Sequence, residues 1–253
     1  VNDKSAAVSV MAADWDMLAA LMGGTRAMRI MGEALMPRFT HEHPNDHKAR
    51  LAVSTLFPAY QRTVGVMVGK PFSKALTFSD AVPPQIVEWS DDIDNEGINL
   101  HSFAAEMFAE SFYGMAGILV EAPRQPNGLR TRADQQAAGV RPYFVRVLHG
   151  QILGWRTSRI NGKTVLAQLR LKETAMVPDG DYAEKQVDRV RVLTPGAFEV
   201  WERQKGDSGK ESWVLLPDES GTTGLTVIPY VPLYGRRTGF MTGAPPLLDL
   251  AFL

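Results

Sequence analysis

The run Trp155-Arg156-Thr157-Ser158-Arg159-Ile160-Asn161-Gly162-Lys163-Thr164-Val165-Leu166 decides how the rest of the chain is read. Asn-Gly accepts the positive φ angles of a two-residue turn, so 155–160 and 163–172 are expected to pair as a β-hairpin. Outward from it, 142–148 reads as a strand. A second hairpin is expected over 187–216, with turns at Thr194-Pro195-Gly196 and Gly206-Asp207-Ser208-Gly209. A last strand, 227–234, carries Pro229 and Pro232 and is therefore expected at a sheet edge.

Toward the N-terminus the period changes. Asp14 is placed to cap a helix through Leu18, Leu21, Met22, Met28, Ile30 and Met31, with a kink at Gly23-Gly24 and an end at Pro37. A polar loop, Thr40-His41-Glu42-His43-Pro44-Asn45, leads to Asp46, which is expected to cap a second helix through Leu51, Leu56, Tyr60, Val64 and Met67. Pro58 should bend that helix, and Gly69-Lys70-Pro71 ends it. Pro83-Pro84 breaks the chain. Asn99 or Ser102 then starts a helix with Phe103, Met107, Phe108 and Phe112 on roughly one face, closed by Gly114 and Gly117 before a short strand, 118–120.

Helices first and antiparallel strands later spell an α+β fold rather than a parallel doubly wound sheet. The expected organisation is an N-terminal helical region (1–72), an α+β region that is mainly antiparallel (73–240), and the start of a further helix (241–253), where Pro245-Pro246 precedes Leu247-Leu248. That last helix has only about two turns, which is marginal alone. The chain is accordingly expected to be the front part of a longer protein, or its tail to dock on a partner. Its opening Val1 points to processing, trimming or an alternative start.

Composition narrows the function. With 253 residues and a net charge of -1, the chain has ordinary globular proportions and lacks the cationic excess of a tight autonomous nucleic-acid binder. The absence of cysteine removes disulfides, thiolate nucleophiles, iron-sulfur clusters and cysteine-ligated zinc, and fits an intracellular protein. No stretch approaches the roughly 18 consecutive apolar residues of a membrane span, and no signal-peptide core is present.

The motifs that imitate chemistry fail in their details. Gly162-Lys163-Thr164 has Thr157 where a phosphate-binding loop needs glycine, and it lies in a hairpin turn. Gly65-Val66-Met67-Val68-Gly69-Lys70-Pro71 is one residue short and ends in proline. Asp92-Ile93-Asp94-Asn95-Glu96-Gly97 opens like a calcium loop, but Phe103 stands where the bidentate glutamate belongs, so a solvated acidic turn is expected. His41, His43 and His47, with Glu42 and Asp46, form the one cluster of ligand type, without the spacing of a known zinc signature; the loop is read as a solvated helix cap. His101 and His149 are isolated and read as structural. There is no nucleophile elbow. Short basic groups occur at Arg124, Arg130 and Arg132, at Arg156 and Arg159, at Arg189 and Arg191, and at Arg236-Arg237. Arg189 and Arg191 share a strand face, read as solvated. No catalytic, cofactor-binding or metal-ligating residue is assigned. A metal-dependent hydrolase or nuclease using His41, His43 and His47 is the alternative kept open.

A resemblance runs through the chain in order. Leu35-Met36-Pro37-Arg38-Phe39, the helix through Arg50, Leu51, Tyr60, Arg62 and Thr63, and Val68-Gly69-Lys70-Pro71-Phe72 resemble portal proteins of tailed bacteriophages. The likeness continues through Ile93-Asp94-Asn95-Glu96-Gly97-Ile98-Asn99-Leu100-His101-Ser102-Phe103 and Tyr113-Gly114-Met115-Ala116-Gly117-Ile118-Leu119-Val120-Glu121-Ala122-Pro123. It takes in Arg141-Pro142-Tyr143, Trp155, Leu169-Arg170-Leu171-Lys172-Glu173, Ile228-Pro229-Tyr230-Val231-Pro232 and Pro245-Pro246-Leu247-Leu248-Asp249-Leu250-Ala251.

The resemblance implies a wing-like region of a homo-oligomeric ring, usually a dodecamer, at one capsid vertex. It implies a structural role without enzymatic activity or cofactor, in the virion and, during assembly, in the host cytoplasm. The implied partners are the major capsid and scaffolding proteins, the terminase, head-tail connector proteins and the double-stranded DNA passing through the channel, with no membrane. Stem, clip and crown would lie past Leu253. Another head-completion protein of the virion is the neighbouring reading. A ring made from one sequence needs heterologous contacts, and weak net charge suits a conduit along which a polyanion slides.

Overall fold

A computed structural model describes residues 1–123, 131, 134, 138–206 and 209–252. The fold is α+β, with helices first and antiparallel sheets after them. Contacts gather into two compact units, one of Val1–Val10 with Ala116–Pro232 and one of Met11–Met115 with Leu233–Leu253. Each unit is assembled from two separate segments of the chain, which a division by sequence position does not express.

The helical unit contains α2 (Trp15–Met31), α3 (Pro44–Val53), α4 (Ala59–Gly69), α5 (Pro84–Trp89), α6 (Leu100–Glu110) and a short α7 (Leu248–Ala251). Ahead of them, α1 (Ala6–Met11) begins before the expected start, and Asp14 makes no capping hydrogen bond because it sits in helical conformation between a 3-10 turn and α2. The kink expected at Gly23-Gly24 is present: Gly24 has φ 72 and ψ -158, a region open to glycine alone. The helical run Ala6–Ala34, 29 residues, is long and apolar enough to cross a membrane by length and composition. A count of consecutive apolar residues does not register it.

Where one bent helix is expected around Pro58, two form, with 54–58 non-helical between them. Proline removes a backbone donor and clashes with the preceding turn, and here the chain stops rather than bends. His43, not Asp46, caps α3: its Nδ1 accepts from Asn45 N at 3.2 Å, and Pro44 occupies the first helical position. Pro84 likewise opens α5 rather than only breaking the chain. Asn99 caps α6 by accepting from Ser102 N at 2.9 Å. Phe103, Met107 and Phe112 are buried, whereas Phe108 lies partly exposed beside that face. The helical core joins Leu18, Tyr60, Val64 and Phe112, with Leu247, Leu248 and Leu250 of the C-terminal segment packed on it.

The sheet unit has β1 (Met115–Glu121) between β2 (Tyr143–Val147) and β9 (Tyr230–Tyr234), so β9 occupies an edge as its prolines require. Gly114, at φ 110, precedes β1, but Gly117 lies inside it, where a Cβ would overlap the Tyr230 ring. The larger sheet runs in order β3 (Ile152–Ile160), β4 (Lys163–Asp179), β5 (Ala183–Thr194), β6 (Ala197–Lys205) and β7 (Glu211–Leu215), with β8 (Gly221–Thr222) beside β6. Asn161 (φ 51) and Gly162 (φ 78) form the expected turn between β3 and β4. Leu153, Val190 and Val192 are its buried centre, with Trp201 and Trp213 packed against them. The N-terminal segment lies along β3, where Ser5 N donates to Leu153 O at 2.8 Å and Arg170 Nη1 donates to Val1 O at 2.6 Å. The helical unit carries a separate two-stranded ribbon of β10 (Arg236–Gly239) and β11 (Thr242–Ala244).

Candidate functional site

His43, His47 and Glu42 of the histidine loop each have a structural task. His47 is nearly buried, and its Nε2 lies 2.8 Å from Met36 O. His43 caps α3, and His41 is exposed. Glu42 accepts from Arg50 at both oxygens (2.7 and 2.8 Å) and from Phe39 N at 3.1 Å. These Arg50 bonds hold the Glu42 carboxyl at about 2, far below its ordinary 4.5, against the opposing effect of burial. Arg50 also stacks on the Phe39 ring at 4.4 Å. The loop is thus a clamp that closes 36–43 onto α3. Among the described residues, no group of three or more histidine, aspartate or glutamate side chains is arranged to hold a metal ion.

The acidic turn 92–97 is exposed at Asn95, Glu96 and Gly97, as expected of a solvated turn, but its two aspartates are turned onto the backbone. Asp94 is buried, and its Oδ1 accepts from Glu96 N and Ile98 N, both at 3.0 Å. Asp92 accepts from Gly97 N at 2.7 Å. Asn95 (φ 63) and Gly97 (φ 100) take the left-handed conformation that this wrapping requires. The carboxylates replace missing backbone partners ahead of α6.

Of the basic groups, Arg189 and Arg191 differ from the expected solvated face. Arg189 pairs with its cross-strand neighbour Glu202 at 2.9 Å. Arg191 lies between two carboxylates, pairing with Glu121 of β1 and, at 2.9 Å, with Glu173 of β4. Its Nε faces Glu173 as an ion pair without the alignment of a hydrogen bond. Burial raises the Glu173 carboxyl above its ordinary value, and Arg191 only partly offsets this. The group Arg124, Arg130 and Arg132 and the turn residues Asp207 and Ser208 lie outside the described residues. Gly162-Lys163-Thr164 sits in a hairpin turn and Gly65 inside α4, so neither near-miss phosphate loop meets the strand-to-helix geometry it needs.

A cleft of about 670 Å³ opens within the sheet unit, walled by Leu119, Phe198, Leu225 and Val227. The charged residues of its lining are Glu121 and Arg191, which neutralise one another. Among its described lining residues the cleft therefore offers apolar wall and one internal ion pair.

The other unusual feature is β4 itself. Residues 163–168 pair with β3 alone, and 172–179 pair with β5 alone; Leu169, Arg170 and Leu171 lie in both ladders. Two hairpins are therefore staggered along one 17-residue strand, and each ends in a two-stranded arm. The first arm is the hairpin expected from Asn161-Gly162. The second is not among the expected elements, although Asp179-Gly180 is a turn signal of the same kind, with Gly180 at φ 83.

No protein-family model matches the chain, and no curated protein matches it.

Proposed function

We propose that this chain is a structural subunit of a bacteriophage portal ring, the channel for double-stranded DNA packaging and ejection at one capsid vertex. The ordered resemblance along the sequence motivates this reading. One structural observation supports it: β4 ends in a two-stranded arm at each side, so the sheet presents unpaired strand edges in both directions. Isolated two-stranded ribbons are marginal in water, and bare edges invite pairing with other chains. Large apolar side chains on the helical unit point the same way, with Ile30 and Val53 each 77% exposed and Phe57 75% exposed. A subunit covered by copies of itself would bury such surfaces. In this role the chain acts by shape, with terminase, capsid, scaffolding and connector proteins as its partners.

Negative-stain electron microscopy of the protein made from its complete reading frame tests the reading. Rings with a central hole are the expected result, and a uniformly monomeric protein overturns it. A complete reading frame that continues past Leu253 with a long helix pair and a further segment of clip size separates a portal from a head-completion protein. The histidine-loop hydrolase has no supporting geometry, because His43 and His47 are engaged with backbone.

A further inference from the structure

The two arms of β4 carry opposite charge. On the β3–β4 arm, 155–168, the ionisable residues are Arg156, Arg159 and Lys163, all cationic and exposed. Among the described residues, none of these three makes an ion pair. The tip of the β4–β5 arm carries Asp179, Asp181 and Glu184 against the single Lys185, which lies 3.6 Å from Asp179. Lys163 and Asp179 are the first and last residues of β4, so a straight strand of that length holds the two tips roughly 55 Å apart. At that separation the charges of one subunit cannot neutralise each other, since screening acts within about 10 Å.

Each tip also bears apolar surface. Ile160 is 57% exposed on the basic arm; on the acidic arm Met176 is 59% exposed and Tyr182 is fully exposed. Apolar anchors bordered by charge are the ordinary make-up of a contact surface.

We propose that the basic β3–β4 arm of one subunit docks on the acidic β4–β5 arm of the next, a head-to-tail contact between copies of this chain. The proposal rests on the ring reading, and it names the surfaces through which the ring closes. Head-to-tail contacts join two different patches and form rings when the rotation between subunits closes. A second copy is favoured over nucleic acid because the complementary patch is present on the same sheet, and because three cations form a small footprint for a polyanion. Charge sets the register and the encounter rate, while Ile160, Met176 and Tyr182 supply the buried area.

Sedimentation velocity on this chain tests the contact with two reversal variants. One is Arg156→Glu/Arg159→Glu/Lys163→Glu; the other is Asp179→Lys/Asp181→Lys/Glu184→Lys. The unchanged chain is expected to self-associate at about 50 mM salt and at least tenfold more weakly at about 500 mM. Each variant alone should associate at least tenfold more weakly at low salt, since both its arms then carry one sign. An equimolar mixture of the two should regain association, because each reversed arm meets a complementary one. Far-UV circular dichroism checks folding, and the milder Arg159→Ala and Glu184→Ala should shift association in the same direction by less.

Variants that associate like the unchanged chain, a mixture without recovery, or an unchanged chain that stays monomeric overturn the proposal. So does a monomeric chain that binds duplex DNA through Arg156, Arg159 and Lys163, which assigns the basic arm to nucleic acid. Rings from the complete reading frame that survive both reversals place the subunit contact elsewhere and leave the ring reading standing. Absence of rings in the unchanged protein removes the ring reading itself.

Discussion

Glu173 and Arg191 stand on neighbouring strands without being cross-strand partners: in register Glu173 faces Arg189, and Arg191 faces Leu171. The Arg191 guanidinium reaches diagonally to put Nε 2.9 Å from Glu173 Oε1. It also holds Glu121, which belongs to the other sheet. One arginine therefore ties β1 to the centre of β4–β5.

Replacing Arg191 leaves two carboxylates facing each other in a half-buried place. Arg191→Met is expected to lower stability by about 1–3 kcal/mol, between the values for exposed and fully buried pairs. Urea denaturation at neutral pH measures this, and unchanged stability would show that the diagonal pair contributes nothing.

Glu173 supplies a pH signature of definite sign. Its folded-state pKa is raised by burial, so between the ordinary carboxylate value and the raised one the folded state holds more protons than the unfolded state. Stability from this group therefore falls as pH rises through that window. Glu173→Gln should flatten that part of the profile, read from urea midpoints between about pH 4 and about pH 8.

Glu42 has the opposite sign. Its pKa is lowered to about 2 by Arg50, so its contribution is present above the ordinary carboxylate pKa and is lost as pH falls toward about 2. Glu42→Gln should reduce stability at neutral pH and remove acid sensitivity over that window. Thermal melts from about pH 2 to about pH 6 would reveal the difference.

Gly117 has no room for a side chain because the Tyr230 ring lies against it, and Tyr230 Oη donates to Ala116 O at 3.2 Å. Gly117→Ala should cost about 1–3 kcal/mol through overpacking. Tyr230→Leu in the same chain is expected to recover part of that loss. If the pair is simply additive in a double-mutant cycle, the ring and the glycine do not contact each other in solution.

Asp94→Ala removes the acceptor for two backbone N–H groups. It is expected to destabilise the helical unit by about 1–3 kcal/mol, the cost of leaving buried donors unpaired. Asp94→Asn should recover much of this, since the amide oxygen can still accept. Calcium titration should leave the melting temperature unchanged, because Oδ1 of Asp92 and of Asp94 is spent on the backbone and Phe103 stands where the bidentate glutamate belongs.

The sequence by itself determined that helices come first and antiparallel strands later, the kink at Gly23-Gly24, a helix start at Asn99 or Ser102, and the Asn161-Gly162 turn. Those features depend on residues adjacent in the chain, whose φ preferences and hydrogen-bonding side chains act locally. Capping was legible in kind but not always in place, since His43 displaced Asp46 once Pro44 began the helix. The 92–97 turn was legible as a turn, yet burial of Asp94 followed from the packing of the unit.

Only the tertiary structure decided how far β4 extends, which partner each half of it takes, and that Arg191 meets two carboxylates from different sheets. Period-two alternation says which way side chains point, but it carries no information about where one ladder ends and the next begins. That stagger places cations and anions at opposite ends of one strand, and it arises from pairing between segments whose only common stretch is Leu169–Leu171.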